Sequence, residues 1–335
     1  MIADLRSDTL TKPTPAMLEY MMQAPLGDDV FGEDPSVTAL EKQTAEMLGM
    51  DEAIFCPSGT MTNQIAIRLL TQPQDEVICD KNAHIYLYEG GGITYNSFVS
   101  VKLLSGERGK LNVSLIEAAI NPDDIHQPVS KLVALENTMN KGGGAIYHLE
   151  EIKKIATLCK KNKLSLHLDG ARLFNALVET GEPPVSYGQY FDTISICLSK
   201  GLGAPVGSLL LFNNIPKQQA LRIRKVFGGG MRQAGIIAAA GSYALTHHIK
   251  RLKEDHKRAR VLAEALRQST FAEDIYPVDT NIVIFQVKDA EKIVKLFAKN
   301  NVKCIPFSDV HVRLVTHLDF NDDMLDHTYN VIRAI

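Results

Sequence analysis

The 335-residue chain has no tryptophan, only five cysteines and no surplus of positive charge. Its 36 Lys and Arg against 39 Asp and Glu leave a formal charge of −3, which excludes a polybasic nucleic-acid binder. The cysteines stand at positions 56, 79, 159, 197 and 304. An odd count without CxxC spacing points to reduced thiols, not to a disulfide frame or a zinc knuckle. The segment Met1–Asp8 lacks an apolar core and carries acids, so a signal peptide is not expected. The longest apolar stretch, Gly235–Leu245, is too short to cross ~30 Å of hydrocarbon. The expectation is a cytoplasmic protein with no membrane and no nucleic-acid partner. What is present is ordinary for a folded enzyme: 45% hydrophobic and 22% charged residues exclude a disordered chain. At roughly 150 residues per domain, the length suggests two domains.

Periodicity then sets the architecture. Asp34-Pro35 supplies an N-cap and a first-turn proline for a helix whose apolar positions Val37, Leu40, Thr44 and Leu48 recur until Gly49. Short apolar strands follow at Ala53–Cys56, Glu76–Asp80, Lys131–Glu136, Leu164–Asp169, Thr193–Leu198 and Gly207–Phe212, alternating with helices at Met61–Leu70 and Leu149–Lys161. Such alternation predicts α/β units and a mostly parallel, doubly wound sheet. Beyond about residue 245 the order changes to a charged helix at Ile249–Gln268, strands at Asn281–Phe285, Val302–Ile305 and Val310–Val315, and helices at Ala290–Asn300 and Asp322–Arg333. We therefore expect an N-terminal arm and large α/β domain over 1–245, and a smaller C-terminal α+β domain over 246–335.

Ligands of open α/β sheets bind at the carboxyl ends of strands. Four such ends carry polar residues: Ser58-Gly59-Thr60, Glu136-Asn137-Thr138, Asp169-Gly170-Ala171-Arg172 and Ser199-Lys200-Gly201. The first is a small-residue turn opening a helix, able to receive phosphate, although alone it reads more readily as a plain N-cap. Asp169 ends an apolar strand, and its carboxylate needs a partner, for which nearby Arg172 is the simple choice. Lys200 ends another apolar strand, without the charge run of a solvated surface. A lysine able to attack a carbonyl, a carboxylate for a ring nitrogen and a helix N-terminus for phosphate are together what pyridoxal 5'-phosphate requires. Two decoys drop out. The glycines at 201, 203 and 207 enclose Pro205 and lead into a strand, which excludes a dinucleotide loop. The histidines lack metal-ligand spacing, so no metal is expected.

At these positions the chain resembles the L-threonine aldolases of the low-specificity type, pyridoxal-phosphate enzymes of the aspartate-aminotransferase fold (fold type I). The resemblance is carried by Leu5-Arg6-Ser7-Asp8-Thr9, Gly27–Gly32, Ala83–Gly91, Leu135–Thr138, His167–Arg172, Leu198–Ser208, Gly228–Gln233 and Val312–His317. It covers nearly the whole chain. It departs from the pattern at Gly142–His148, where family members commonly carry a proline.

The resemblance implies that Lys200 holds the cofactor as a Schiff base and Asp169 pairs with its ring nitrogen. It implies that Ser58, Gly59 and Thr60 bind phosphate, and that His84 stacks on the ring near the substrate hydroxyl. Ser7, Arg172 and Arg313 would grip the substrate carboxylate, with Arg172 also near the cofactor. His126 is a second candidate for the hydroxyl proton. Lys225 and Arg232 would reach the phosphate of a neighbouring subunit in a homotetramer, a dimer of dimers with sites at the dimer interface. The implied reaction is cleavage of L-threonine or L-allo-threonine, β-hydroxy-α-amino acids, to glycine and acetaldehyde. The alternatives are a β-eliminating lyase or a serine-hydroxymethyltransferase-like enzyme. A regulator that binds the cofactor without turnover, or a nicotinamide oxidoreductase, fits less well.

Overall fold

A computed structural model describes residues 1–335. Strand β1 (Ala3–Asp4) precedes helices α1 (Pro15–Met22) and α2 (Pro35–Leu48). The central region runs β2 (Glu52–Cys56), α3 (Gly59–Leu70), β3 (Asp75–Asp80), α4 (His84–Leu87), α5 (Gly92–Ser97), β4 (Ser100–Leu104), α6 (Val113–Ala119) and β5 (Val129–Glu136). It continues through α7 (Leu149–Lys161), β6 (Ser165–Gly170), α8 (Leu173–Thr180), β7 (Thr193–Cys197), β8 (Ser208–Phe212), α9 (Lys217–Val226) and α10 (Gly235–His247). The remainder is α11 (Leu252–Arg267), β9 (Asp274–Ile275), β10 (Ile282–Gln286), α12 (Ala290–Lys299), β11 (Val302–Lys303), β12 (Ile305–Ser308), β13 (His311–Val315) and α13 (Asp322–Ala334).

The large sheet has the order β2-β8-β7-β6-β5-β3-β4. Its strands pair in parallel from β7 to β4, while β8 runs antiparallel to both β2 and β7. All five residues of β7, and all five of β8, are buried, as expected of strands covered by helices on both faces. The fold is thus the mostly parallel α/β sheet read from the sequence, completed by a four-stranded antiparallel sheet, β12-β13-β10-β9. No helix is long and apolar enough to cross a membrane. The apolar stretch at Gly235–Leu245 forms most of α10, which packs against α1 and α2.

Two cores dominate. A cluster of 40 buried residues lies about the large sheet, and a cluster of 20 fills the smaller unit. Ala3 and Leu5 belong to the second. β1 pairs in parallel with β11, and the Val315 N–H donates to the Leu5 carbonyl at 2.8 Å. The N-terminal arm is therefore tied to the far end of the chain. This also corrects one element: Val302–Ile305 is not a single strand, because Val302 and Lys303 pair with β1 while Ile305 enters the other sheet.

Candidate active site

The parallel strands end along one edge, and there a cleft of about 320 Å³ opens between the two sheets. Lys200 enters it three residues after β7, and Arg172 two residues after β6. His84 and Tyr88 come from α4 and its C-terminal end. The small sheet supplies Phe307 and Arg313, and the N-terminal arm supplies Ser7. Bringing residues 7 and 313 to one place requires the arm to lie across the smaller core, which the β1–β11 pairing does.

Asp169 is buried at the end of β6. Its partner is not Arg172: it accepts from the Asn63 amide at 2.9 Å and the Ala171 N–H at 3.1 Å. Arg172 instead gives Nε and Nη2 to buried Asp8, both at 2.7 Å. Burial alone would raise the Asp8 carboxyl, but the Arg172 charge and hydrogen bonds, with Lys200 nearby, hold it far below the usual carboxylate range. Two of Arg172's three guanidinium nitrogens are spent on that carboxylate, whereas Arg313 bonds only to neutral oxygens and its charge is unmatched by any acid.

Arg313 donates Nη1 to the Asn140 side chain at 2.9 Å and Nη2 to the Arg6 carbonyl at 3.1 Å, while its buried Nε has no partner. Burial, reinforced by the charge of Arg172, lowers its pKa to about 10. A guanidinium that lines the cleft without a carboxylate partner suits an anion.

His84 donates through Nδ1 to buried Glu89 at 3.0 Å. Burial would lower its pKa, but the Glu89 hydrogen bond and the charges of Asp169 and Glu89 raise it above the ordinary histidine value. Glu89 also accepts from Asn63 at 2.8 Å and Gln64 at 2.7 Å. Asn63 therefore bridges Glu89 and Asp169, and its own oxygen meets buried His167 Nε2 at 3.1 Å. Ligating atoms of His84, Glu89 and Asp169 consequently lie within 4.8 Å of one another. Beneath them, Glu136 accepts from the backbone N–H groups of His84 at 2.7 Å and Asn140 at 2.8 Å. Burial and the Asp169 charge push its pKa up to about 7.

At the same sheet edge Ser58 caps α3, accepting from Met61 N–H at 3.2 Å. The N–H groups of Gly59 and Thr60 have no acceptor in the chain. Glycine is needed at 59 because a Cβ would stand 2.6 Å from Cys197 Sγ, a packing reason not visible in sequence. Gly207 is required twice over, by a φ of +120° and by the Phe55 ring 2.5 Å from where its Cβ would sit.

Ser58, Gly59, Thr60 and Asp169 do not line this cleft themselves, although Asp169 lies next to cleft-lining His84, and three further expected residues lie on the surface. His126 is 83% exposed on a loop at the amino end of β5, the edge opposite the site, and pairs with Asp124 at 2.8 Å. Within its own chain it lies away from the cleft, and Asp124, two residues earlier, satisfies it locally. Arg232 is exposed and pairs with Asp28 at 2.9 Å, and Lys225 is exposed on α9. Ser7 does line the cleft, though its hydroxyl also accepts from the Thr9 N–H at 3.2 Å. Asp8, Asn63, Glu89, Glu136 and Asn140 were assigned no role in the sequence. The signal for Asn63 was there: it is a polar residue inside the apolar face of a helix.

A free lysine amine, a buried carboxylate on the adjoining strand and unclaimed N–H groups at a helix N-terminus share one sheet edge. The orphaned Arg313 Nε and the buried, unpartnered Ser208 hydroxyl near Gly59 add donors without acceptors. The residues present fit a phosphorylated aldehyde with a basic ring nitrogen, which is pyridoxal phosphate.

Comparison with known proteins agrees with this geometry. Residues 4–290 match the family model described as beta-eliminating lyase. The chain is 44% identical over 325 residues to the low specificity L-threonine aldolase of Escherichia coli K12, covering 96% of each. It is 41% identical over 309 residues to that of Saccharomyces cerevisiae, covering 90% of this chain and 79% of the yeast protein. Among solved structures it resembles the Leishmania major threonine aldolase with a TM-score of 0.87 at 24% identity, covering 99% of both chains. A structure of SPT with PLP matches at a TM-score of 0.76 and 18% identity, covering 99% of this chain and 87% of the other, a likeness of fold alone.

Proposed function

The chain belongs to the beta-eliminating lyase family and, within it, to the low-specificity L-threonine aldolases, and we propose that the cleft around Lys200 is where it cleaves threonine. It is a pyridoxal-phosphate-dependent lyase whose products from L-threonine or L-allo-threonine are glycine and acetaldehyde. The cofactor, when bound, supplies an electron sink for the pair released as the Cα–Cβ bond breaks.

In our reading Lys200 holds the cofactor aldehyde, Asp169 faces its ring nitrogen, and Ser58, Gly59 and Thr60 receive its phosphate. Arg313, which has no carboxylate partner of its own, would take the substrate carboxylate, with Ser7 on the same cleft. Arg172, fixed by Asp8, contributes positive charge and one remaining amine face. Anchoring the carboxylate at Arg313 sets which bond at Cα stands toward the cofactor. His84 then accepts the β-hydroxyl proton at Nε2, while Glu89 on Nδ1 fixes the tautomer and stabilises the cation that forms. Asn63 bridges Glu89 and Asp169 by donating to both.

The proposal extends to a large domain over 1–245 and a small one over 246–335, since Arg313 from the second faces Lys200 from the first. It also extends to a cytoplasmic homotetramer serving threonine catabolism and glycine supply. In support of assembly, α1 and the α4–α5 region expose Leu18, Tyr20, Met22, Tyr86, Tyr95 and Phe98. Lys225, Arg232 and His126 are exposed on their own chain and so free to meet another.

The observation that carries the reading is that Lys200 and Arg313 line one cleft together with His84, beside which Asp169 is buried. Purified protein loaded with cofactor should release acetaldehyde from L-threonine or L-allo-threonine, and Lys200→Ala should not. Pyruvate from serine without acetaldehyde from either isomer would overturn the assignment in favour of β-elimination.

A further inference from the structure

We propose that Lys141 makes the mouth of the cleft a second carboxylate subsite, so that the enzyme also cleaves 3-hydroxyaspartate to glycine and glyoxylate. Resting on the retro-aldol reading above, this adds a substrate class: β-hydroxy-α-amino acids whose β-carbon carries an anionic group.

Lys141 lines the same cleft as Lys200 and Arg313. Its ammonium lies 4.0 Å from the centre of the Phe307 ring and 5.7 Å from that of Tyr88. Of the other cations nearby, Arg172 is matched with Asp8 at 2.7 Å and Arg108 with Asp279 at 2.8 Å, whereas Lys200 and Arg313 in the same cleft are, like Lys141, in no ion pair. Lys141 takes part in no ion pair and no hydrogen bond, and none of the 12 residues lining the cleft is an acid. Aromatic faces hold an ammonium in place without neutralising it, so its charge stays available to an anion.

The Phe307 ring also carries the Arg313 guanidinium, 5.7 Å from its centre. Two cations therefore flank one ring at the cleft mouth. One α-carboxylate occupies Arg313. The second cation then faces the substituent on the β-carbon, where threonine has only a methyl group. A carboxylate at that carbon gives 3-hydroxyaspartate.

The chemistry balances without a further reactant. The Cα–Cβ bond breaks and its electron pair remains on Cα, which takes up one proton to become glycine. The β-hydroxyl loses its proton, and the β-carbon becomes the carbonyl carbon of glyoxylate. The only change from threonine is the group Lys141 meets.

Two measurements test this. On the cofactor-loaded enzyme, kcat/KM is compared for glyoxylate release from both L-3-hydroxyaspartate diastereomers and for acetaldehyde release from L-threonine. The ratio should fall about tenfold in Lys141→Ala, as for loss of a partly desolvated charge pair, and return in Lys141→Arg. Taking the ratio within each variant cancels any general damage. Independently of turnover, calorimetry should show succinate binding weakened about tenfold in Lys141→Ala, with butyrate binding changed less than about twofold. Threonine cleavage without glyoxylate formation, or a ratio and succinate affinity unmoved in Lys141→Ala, overturns the proposal. If threonine is not cleaved either, the retro-aldol reading itself falls, and the subsite with it.

Discussion

At the scale of single residues, Asp8 and Arg172 show how the cleft keeps its charge in order. Both are buried, and two parallel hydrogen bonds join them. A buried guanidinium without its carboxylate keeps the cost of desolvation and loses what offsets it. Asp8→Ala should therefore cost about 3–5 kcal/mol in chemical denaturation. A loss below ~1 kcal/mol would mean that the pair behaves as a solvated surface bridge. Sequence singled out Asp169 and Lys200 because each ends an apolar strand. It could not show that Arg172 turns to Asp8, since 164 positions separate them and only the path of the N-terminal arm brings them together. His126 is a case of the reverse kind: its acidic neighbours were visible, but the end of β5 on which it lies follows only from the strand's direction.

Elements are stabilised here by single groups that serve two of them. Asp34 caps α2 through Oδ1, accepting from Ser36 and Val37 at 3.1 Å, and its Oδ2 accepts from the first N–H of α10, at Gly235, at 2.9 Å. Asn321 caps α13 alone, accepting from Met324 at 3.0 Å at an exposed position. Removing a simple cap costs about 1 kcal/mol, whereas leaving a buried N–H unpaired adds about 1–3 kcal/mol. Asp34→Ala should thus lower the urea midpoint clearly more than Asn321→Ala, and equal effects would show that the bond to α10 contributes nothing. The cap of α2 was legible, because Asp-Pro before a 3.6-residue apolar pattern has a local cause. The link to α10 was not, and neither was the break between β11 and β12, because both depend on partners far along the chain.

For the whole molecule, two buried groups at the site pull stability in opposite directions across the same pH range. Glu136 titrates near 7 in the fold, because burial and Asp169 disfavour its charge, against about 4.3 in an unfolded chain. The folded state therefore holds its proton where the unfolded state has released it, and stability from this group is lost as pH rises from about 4.3 to 7. His167 is lowered to about 4 by burial, against about 6.5 unfolded. Here the unfolded state takes up the proton first, so stability is lost as pH falls from about 6.5 towards 4. Its neutral form is the one the site uses: Thr193 lies 2.8 Å from Nδ1, and Nε2 meets the Asn63 oxygen, which aims the amide at Glu89 and Asp169. The two slopes offset each other between about pH 4.5 and 6.5, a compensation that removing either group should expose. In Glu136→Gln, stability relative to wild type should rise with pH across that interval, by up to ~1.4 kcal/mol per unit. In His167→Gln the same difference should fall with rising pH. Urea denaturation at half-unit steps distinguishes these outcomes, and parallel curves for wild type and Glu136→Gln would show that Glu136 is ionised in the folded protein throughout.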